Sequence, residues 1–248
     1  MAAPTAKDRV LKTTEILESI LLQLPIRDLL VSAQQVSQGW NIIIQSSPAI
    51  QEALFFQPPR TSDQEQIFNP LLQTSFAPWF NNHDEINTQW ISGITFHDLD
   101  WNRTVAKRHA YARKEASWRK MLLVKPAIKQ LDVVKLTHAM CGDTECCGEV
   151  YFKYGVRMGP LYDLVQEEVK RPTTGVGVKW VREETSGLLS GLAKPLGLGK
   201  ERNRIVMTVN HTVQRCIGRP DRLGPEFKSL DYKKVEIKWG PTKYMPFR

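Results

Sequence analysis

"TTEILESILLQLPIRDLLVSAQQVSQGW", residues 13 to 40, carries the densest apolar pattern in the chain. Ile16, Leu17, Ile20, Leu21 and Leu24 recur at the spacing of an amphipathic helix, and Thr13 and Thr14 stand where its N-cap belongs. Pro25 ends that helix, because the residue before a proline is steered out of the α region. Asp28 is placed to cap a second helix whose apolar positions are Leu29, Leu30, Ala33 and Val36. Gly39 is expected to break it, and Trp40 opens a third run with Ile42, Ile43 and Ile44. Ser46-Ser47-Pro48 then resets the chain, with a serine positioned to cap a short helix carrying Ile50, Ala53 and Leu54.

A bundle this small needs support, since below about 70–80 residues a single core rarely supplies more than about 3–5 kcal/mol. Its helices are apolar around more than one face, and exposed apolar surface marks an interaction site. The segment is therefore expected to dock on another protein. "EILESILLQLPIRDLLVSAQQVSQGW" resembles an F-box: an acidic residue, paired aliphatics, I-L-x-x-L, a D-L-L triplet, a valine, and a tryptophan four residues beyond it. The flanks "TTEIL" and "SSPAIQEALFFQPP" resemble fungal F-box proteins in particular.

The resemblance implies a three-helix module that binds the Skp adaptor and so joins a cullin–RING ubiquitin ligase. It implies adaptor contacts at Ile16, Leu17, Ile20, Leu21, Leu24, Pro25, Asp28, Leu29, Leu30, Val36 and Trp40. Leu24-Pro25 and the D-L-L turn would present aliphatic knobs to a groove, and Trp40 would be the anchor. The family often has Cys and then Arg or Lys after the valine; this chain has Ser37 and Gln38.

At 248 residues the chain can hold one large domain, or a small module with a mid-sized domain. No run of about 18 apolar residues occurs, so no transmembrane helix is expected. The opening "MAAPTAKDRVLKTTE" lacks the apolar core and cleavage site of a secretory signal. Four cysteines make no disulfide framework, which fits the cytosol or nucleus. Residues 1–100 hold 5 Lys+Arg and 11 Asp+Glu, a balance of −6; residues 101–248 hold 29 and 15, a balance of +14. That split suggests two units with different partners, because net charge speaks to association.

Residues 57–88 are rich in Pro, Asn, Gln and Asp and read as a connector. Leu71, Leu72, Phe76, Trp79 and Phe80 within it are too apolar for a free linker, and are expected to pin the helical module to the next domain. Beyond it, "QWISGITFHDL", "KQLDVVKLTH", "GEVYFKYG", "RIVMTVNHTVQRC" and "YKKVEIKW" read as strands, and "ARKEASWRKMLLV" and "MGPLYDLVQEEVKR" as helices. The fold class is α+β with a mixed or antiparallel sheet. No repeat with a period of about 30–45 residues appears, which excludes leucine-rich and propeller architectures.

His138, Cys141, Cys146 and Cys147 together form a possible zinc set, but H-x2-C-x4-C-C is irregular and free thiols in a turn between strands are the expectation. "SGLLSGLAKPLGLGKERN" fails the phosphate-loop frame, with Lys194 where the first glycine belongs and Glu201 after the lysine. His211 reads as a strand histidine, and no nucleophile motif appears, so neither catalysis nor a cofactor is expected. In "KRHAYARKEASWRK", Arg108, Tyr111, Trp118 and Arg119 could grip nucleic acid, although a solvated basic helix face accounts for the same pattern.

The organisation expected is an F-box at residues 10–57, a connector at 58–87, and an α+β target-binding domain at 88–248. The expected function is a non-catalytic receptor linking a protein target, acidic or phosphorylated, to the Skp adaptor and its cullin. A basic nucleic-acid binder, or an adaptor-binding protein outside a ligase, remains the alternative.

Overall fold

A computed structural model describes residues 13–60, 65–80, 99, 101, 103–140, 142–169, 174–181, 204–213 and 237–245. The apolar spacing of the opening segment folds into α1 (Thr14–Leu21), α2 (Ile26–Val31), α3 (Gln38–Ser46) and α4 (Pro48–Ala53), with a 3-10 turn at Ala33–Gln35. Two boundaries differ from the sequence expectation. Pro25 itself stands at the start of α2, leaving Asp28 in the first turn, because a fixed φ of −53° suits helix entry. Gly39 lies inside α3; the break falls earlier, where the Ser37 hydroxyl accepts from Trp40 N at 3.2 Å. A serine cap is worth about 1 kcal/mol and outweighs the signal of a lone glycine.

Ser47 caps α4 as expected, accepting from Ile50 N at 3.1 Å, and its hydroxyl donates to the Glu18 carboxylate of α1. Leu17, Leu21, Leu29, Ala33, Ile44, Ile50 and Leu54 close into the core of this helical module.

The second domain begins inside the stretch expected to be a connector. Strand β1 (Ile67–Phe68) pairs with β2 (Val124–Lys125), and α5 (Pro70–Ser75) and α6 (Ala77–Phe80) follow it. Asn69, fully buried, caps α5 by accepting from Leu71 N and Leu72 N, and its amide donates to Leu122 O at 3.2 Å. Phe76 lies at the centre of an aromatic cluster, with ring centroids 5.1 to 5.7 Å from Trp118, Trp101, Trp79 and Tyr111. Leu72, Phe76, Trp79 and Phe80 thus lie in the same core as Met121, Leu122 and Leu131.

Helix α7 (Val105–Ala112) is followed by a turn and a 3-10 helix at Ser117–Lys120, not by the longer helix expected over 112–124. Met121, Leu122, Leu123 and Val124 are all buried, and four consecutive buried side chains need extended chain packed on both faces.

The sheet is mixed. β3 (Gln130–Ala139) and β4 (Gly142–Tyr151) form an antiparallel hairpin, β6 (Arg204–Val213) runs parallel to β3, and β5 (Thr174–Val181) pairs antiparallel with β6. β7 (Lys238–Trp239) and β8 (Lys243–Met245) both pair with β4, giving the order β5-β6-β3-β4-β7. Helix α8 (Met158–Val169) packs its buried Leu161, Leu164 and Val165 into the same core as Leu131, Val133, Ile205, Met207 and Val209. β5 was not anticipated, since two glycines dilute its alternation. The expected strand over 89–99 (Leu99 apart), the loop at 186–203 and the residues of "YKKVEIKW" before Ile237 lie outside the described residues.

Candidate functional site

Alternation along β3 places Leu131, Val133, Lys135 and Thr137 on one face, all of them buried. Lys135 Nζ stands 3.4 Å from Glu168 Oε2 of α8, with both side chains almost wholly buried. On the opposite face the buried Asp132 faces Gln130 at 2.8 Å and Arg204 at 3.4 Å. Burial raises its pKa, with the Gln130 and Arg204 contacts pulling the other way. These charges hold helix to sheet and strand to strand.

The hairpin register sets the described members of the possible zinc set at different positions along the strands. Cys146 pairs with Lys135, Cys147 with Val134, and His138 with Asp143. The two thiols lie within a strand and not in a turn, and as neighbours they point to opposite faces. Cys141 lies outside the described residues, and no group of three metal-ligating side chains occurs among those described. Burial and the neighbouring Glu145 push the Cys147 thiol up to about 12. His211 Nδ1 lies 2.9 Å from the Thr174 hydroxyl across β5 and β6, which makes it a strand histidine.

The basic stretch splits by residue type. Tyr111 stacks on Trp101 (5.3 Å, 22°) and Trp118 packs on Tyr162, so both rings serve the core. Arg119 lies over Trp118 and Tyr162 and pairs with Asp163 at 2.5 Å. Lys107, Arg108, Arg113, Lys114 and Lys120 remain exposed.

The helical module offers a different surface. Of its expected contact residues, Leu17, Leu21 and Leu29 are buried in the core of the module. Leu24, Leu30 and Trp40 are half-buried against that core. Ile16, Ile20, Pro25, Asp28 and Val36 are exposed. Leu22, Val31 and Ile42 are exposed as well, which the spacing did not single out because each lies in a continuous apolar run. Ser37, where the family often has Cys, supplies the cap of α3.

The module is fastened to the domain where it ends. Phe55 adopts a left-handed φ of 61°, which turns its ring out of the helical bundle and into the domain core. Such a backbone costs on the order of 1–3 kcal/mol in a non-glycine residue and persists only where its surroundings hold it. Here Leu122 N donates to Phe55 O at 2.8 Å, and Lys125 Nζ sits 4.0 Å over the Phe55 ring while donating to Glu52 O at 2.8 Å. Arg157 donates to Phe56 O at 3.1 Å and to Lys120 O. Burial lowers the pKa of both Lys125 and Arg157, and Glu52 partly offsets this at Lys125.

Residues 13–50 match the family model of the F-box domain. The chain contains an F-box domain. Comparison with curated proteins and with solved structures gives no match. F-box domains bind Skp-type adaptors in SCF complexes, and F-box proteins are typically adaptors and not enzymes. The F-box here therefore implies a general role in substrate recognition by SCF-type ubiquitin ligases.

Proposed function

We propose that this chain is a substrate receptor whose F-box holds a Skp-type adaptor while its α+β domain holds a protein target. The observation that carries the reading is the pairing of an F-box that keeps Ile16, Ile20 and Val36 exposed with a junction that fastens it to a second domain. A fastened junction fixes where a bound target stands relative to the adaptor. Ubiquitin transfer is then chemistry of the other ligase subunits, reached through the cullin, and this chain contributes effective concentration and orientation. The +14 balance of residues 101–248 favours acidic or phosphorylated targets. The reducing cytosol or nucleus is the proposed setting.

The test is co-purification of tagged full-length chain with adaptor and cullin from cells, beside a Leu24→Ala, Pro25→Ala variant. Adaptor and cullin should follow the parent and be depleted from the variant, with target proteins accumulating in its presence. An adaptor retained without cullin would place the chain outside a ligase, against this reading.

A further inference from the structure

Glu145 is 7% exposed, and among the described residues its carboxylate pairs with no cation. Its hydrogen-bond partner is the Cys147 thiol, which donates to Oε1 at 3.5 Å. A thiol is a weak donor, so most of the acceptor capacity of this carboxylate is unmet. Glu145 lines a cavity of about 540 Å3 at the outer edge of β4, beside Trp239, Gly240, Pro241 and Thr242 where β7 turns into β8. Small-molecule sites fill about 300–1,000 Å3, and this one falls among them.

The strand register brings cations to the same place. Lys243 of β8 stands directly opposite Glu145, and Lys238 of β7 opposite Glu149. Opposed residues of an antiparallel pair lie about 4.5–5.5 Å apart at Cβ, close enough for carboxylate and ammonium to meet. Among the described residues neither couple closes into an ion pair, and all four charges line the cavity.

That arrangement selects its occupant. Lys243 repels a bare cation drawn to Glu145, and Glu145 repels a bare anion drawn to Lys243. A molecule with an ammonium and a carboxylate on neighbouring atoms satisfies both at once. Glu145 is buried and Lys243 exposed, so the ammonium points inward and the carboxylate lies at the mouth. Beyond this head group the lining turns to Trp239, Pro241, Gly148 and Gly240, which suits an apolar side chain. Glu149 and Lys238 are both exposed and stand at the rim.

We propose that this cavity binds a free α-amino acid with an apolar side chain, its ammonium on Glu145 and its carboxylate on Lys243. The inference goes beyond the receptor reading and stands without it. Because β4, β7 and β8 share the cavity, an occupant ties the three strands together and raises the melting temperature.

The experiment is a calorimetric titration of the full-length protein with L-leucine, L-methionine and L-phenylalanine, each beside its N-acetyl and methyl-ester derivatives. At least one amino acid should bind, and its two derivatives at least about tenfold more weakly, since each lacks one of the charges. Glu145→Gln, which keeps the shape of the side chain, and Lys243→Met, at an exposed position, should each weaken binding about tenfold. Circular dichroism of the unliganded variants shows whether each is folded; if Glu145→Gln is not, Lys243→Met decides alone. Binding of none of the three amino acids, a derivative that binds as tightly as its parent compound, or parent-like binding by either folded variant would overturn the proposal.

Discussion

Ile42 of the F-box is 65% exposed, whereas Lys135 of the sheet domain is 3% exposed. The two regions depart from the usual placement of residues in opposite directions. The F-box closes a small core of aliphatic side chains and leaves Val31, Val36 and Ile42 outside. The domain closes a large aromatic core, takes Lys135, Glu168 and Asp132 inside, and keeps Lys107, Arg108, Arg113, Lys114 and Lys120 at the surface. Apolar surplus on a small module marks a surface made for a partner. Buried charge in a larger domain marks elements whose relative placement is fixed by paired groups.

The comparison is broken most directly inside the domain. Glu168→Ala leaves Lys135 in an apolar setting without its carboxylate, so urea unfolding should show a loss of about 3–5 kcal/mol. Replacing both, Lys135→Met with Glu168→Leu, should recover most of that loss. If Glu168→Ala costs no more than a surface substitution, the pair is not buried as described.

Within the F-box, neighbours should separate cleanly. Leu17→Ala, at a core position, should cost about 2–5 kcal/mol, while Ile16→Ala, 42% exposed, should stay within about 0.5 kcal/mol. Equal costs would mean that α1 is rotated from its described face. Arg157→Ala removes two donors at the junction and should cost about 1.5–3 kcal/mol. It should also speed limited proteolysis between the modules, because local opening becomes easier.

The smallest effect concerns Cys147. The folded protein holds its thiol proton up to about 12, while the unfolded chain sheds it from the ordinary value near 9. The unfolded state then binds fewer protons in that window, so this thiol's contribution to stability declines as pH rises through it. Cys147→Ala should flatten that part of an alkaline stability profile. Alkylation of Cys147 at pH 8 should be slow, since little thiolate exists there.

Much of the F-box was legible because helical spacing and a serine cap act over four residues. The i, i+4 repeat from Ile16 to Leu24 fixed α1, and Ser47 marked the start of α4. Periodicity did not tell which side of an all-apolar helix faces inward, so Leu17 and Ile16 looked alike until α3 and α4 were packed against α1. In the sheet, alternation located β3, β6 and the end of β4, and it did not single out Lys135. Its burial is decided by Glu168, distant in sequence and brought over the sheet by α8. The junction between the modules was not legible at all, since Glu52, Phe55 and Phe56 meet Leu122, Lys125 and Arg157 across long stretches of sequence.

The measurement that bears most directly on this account is a calorimetric titration of a Skp-type adaptor into the full-length chain and into an Ile16→Ala, Ile20→Ala, Val36→Ala variant with an unchanged melting temperature. The expected result is binding by the parent and a loss of at least about tenfold in the variant, since truncated anchors in an interface cost more than about 1 kcal/mol each. Equal affinity of parent and variant, or no binding by the parent, would contradict it.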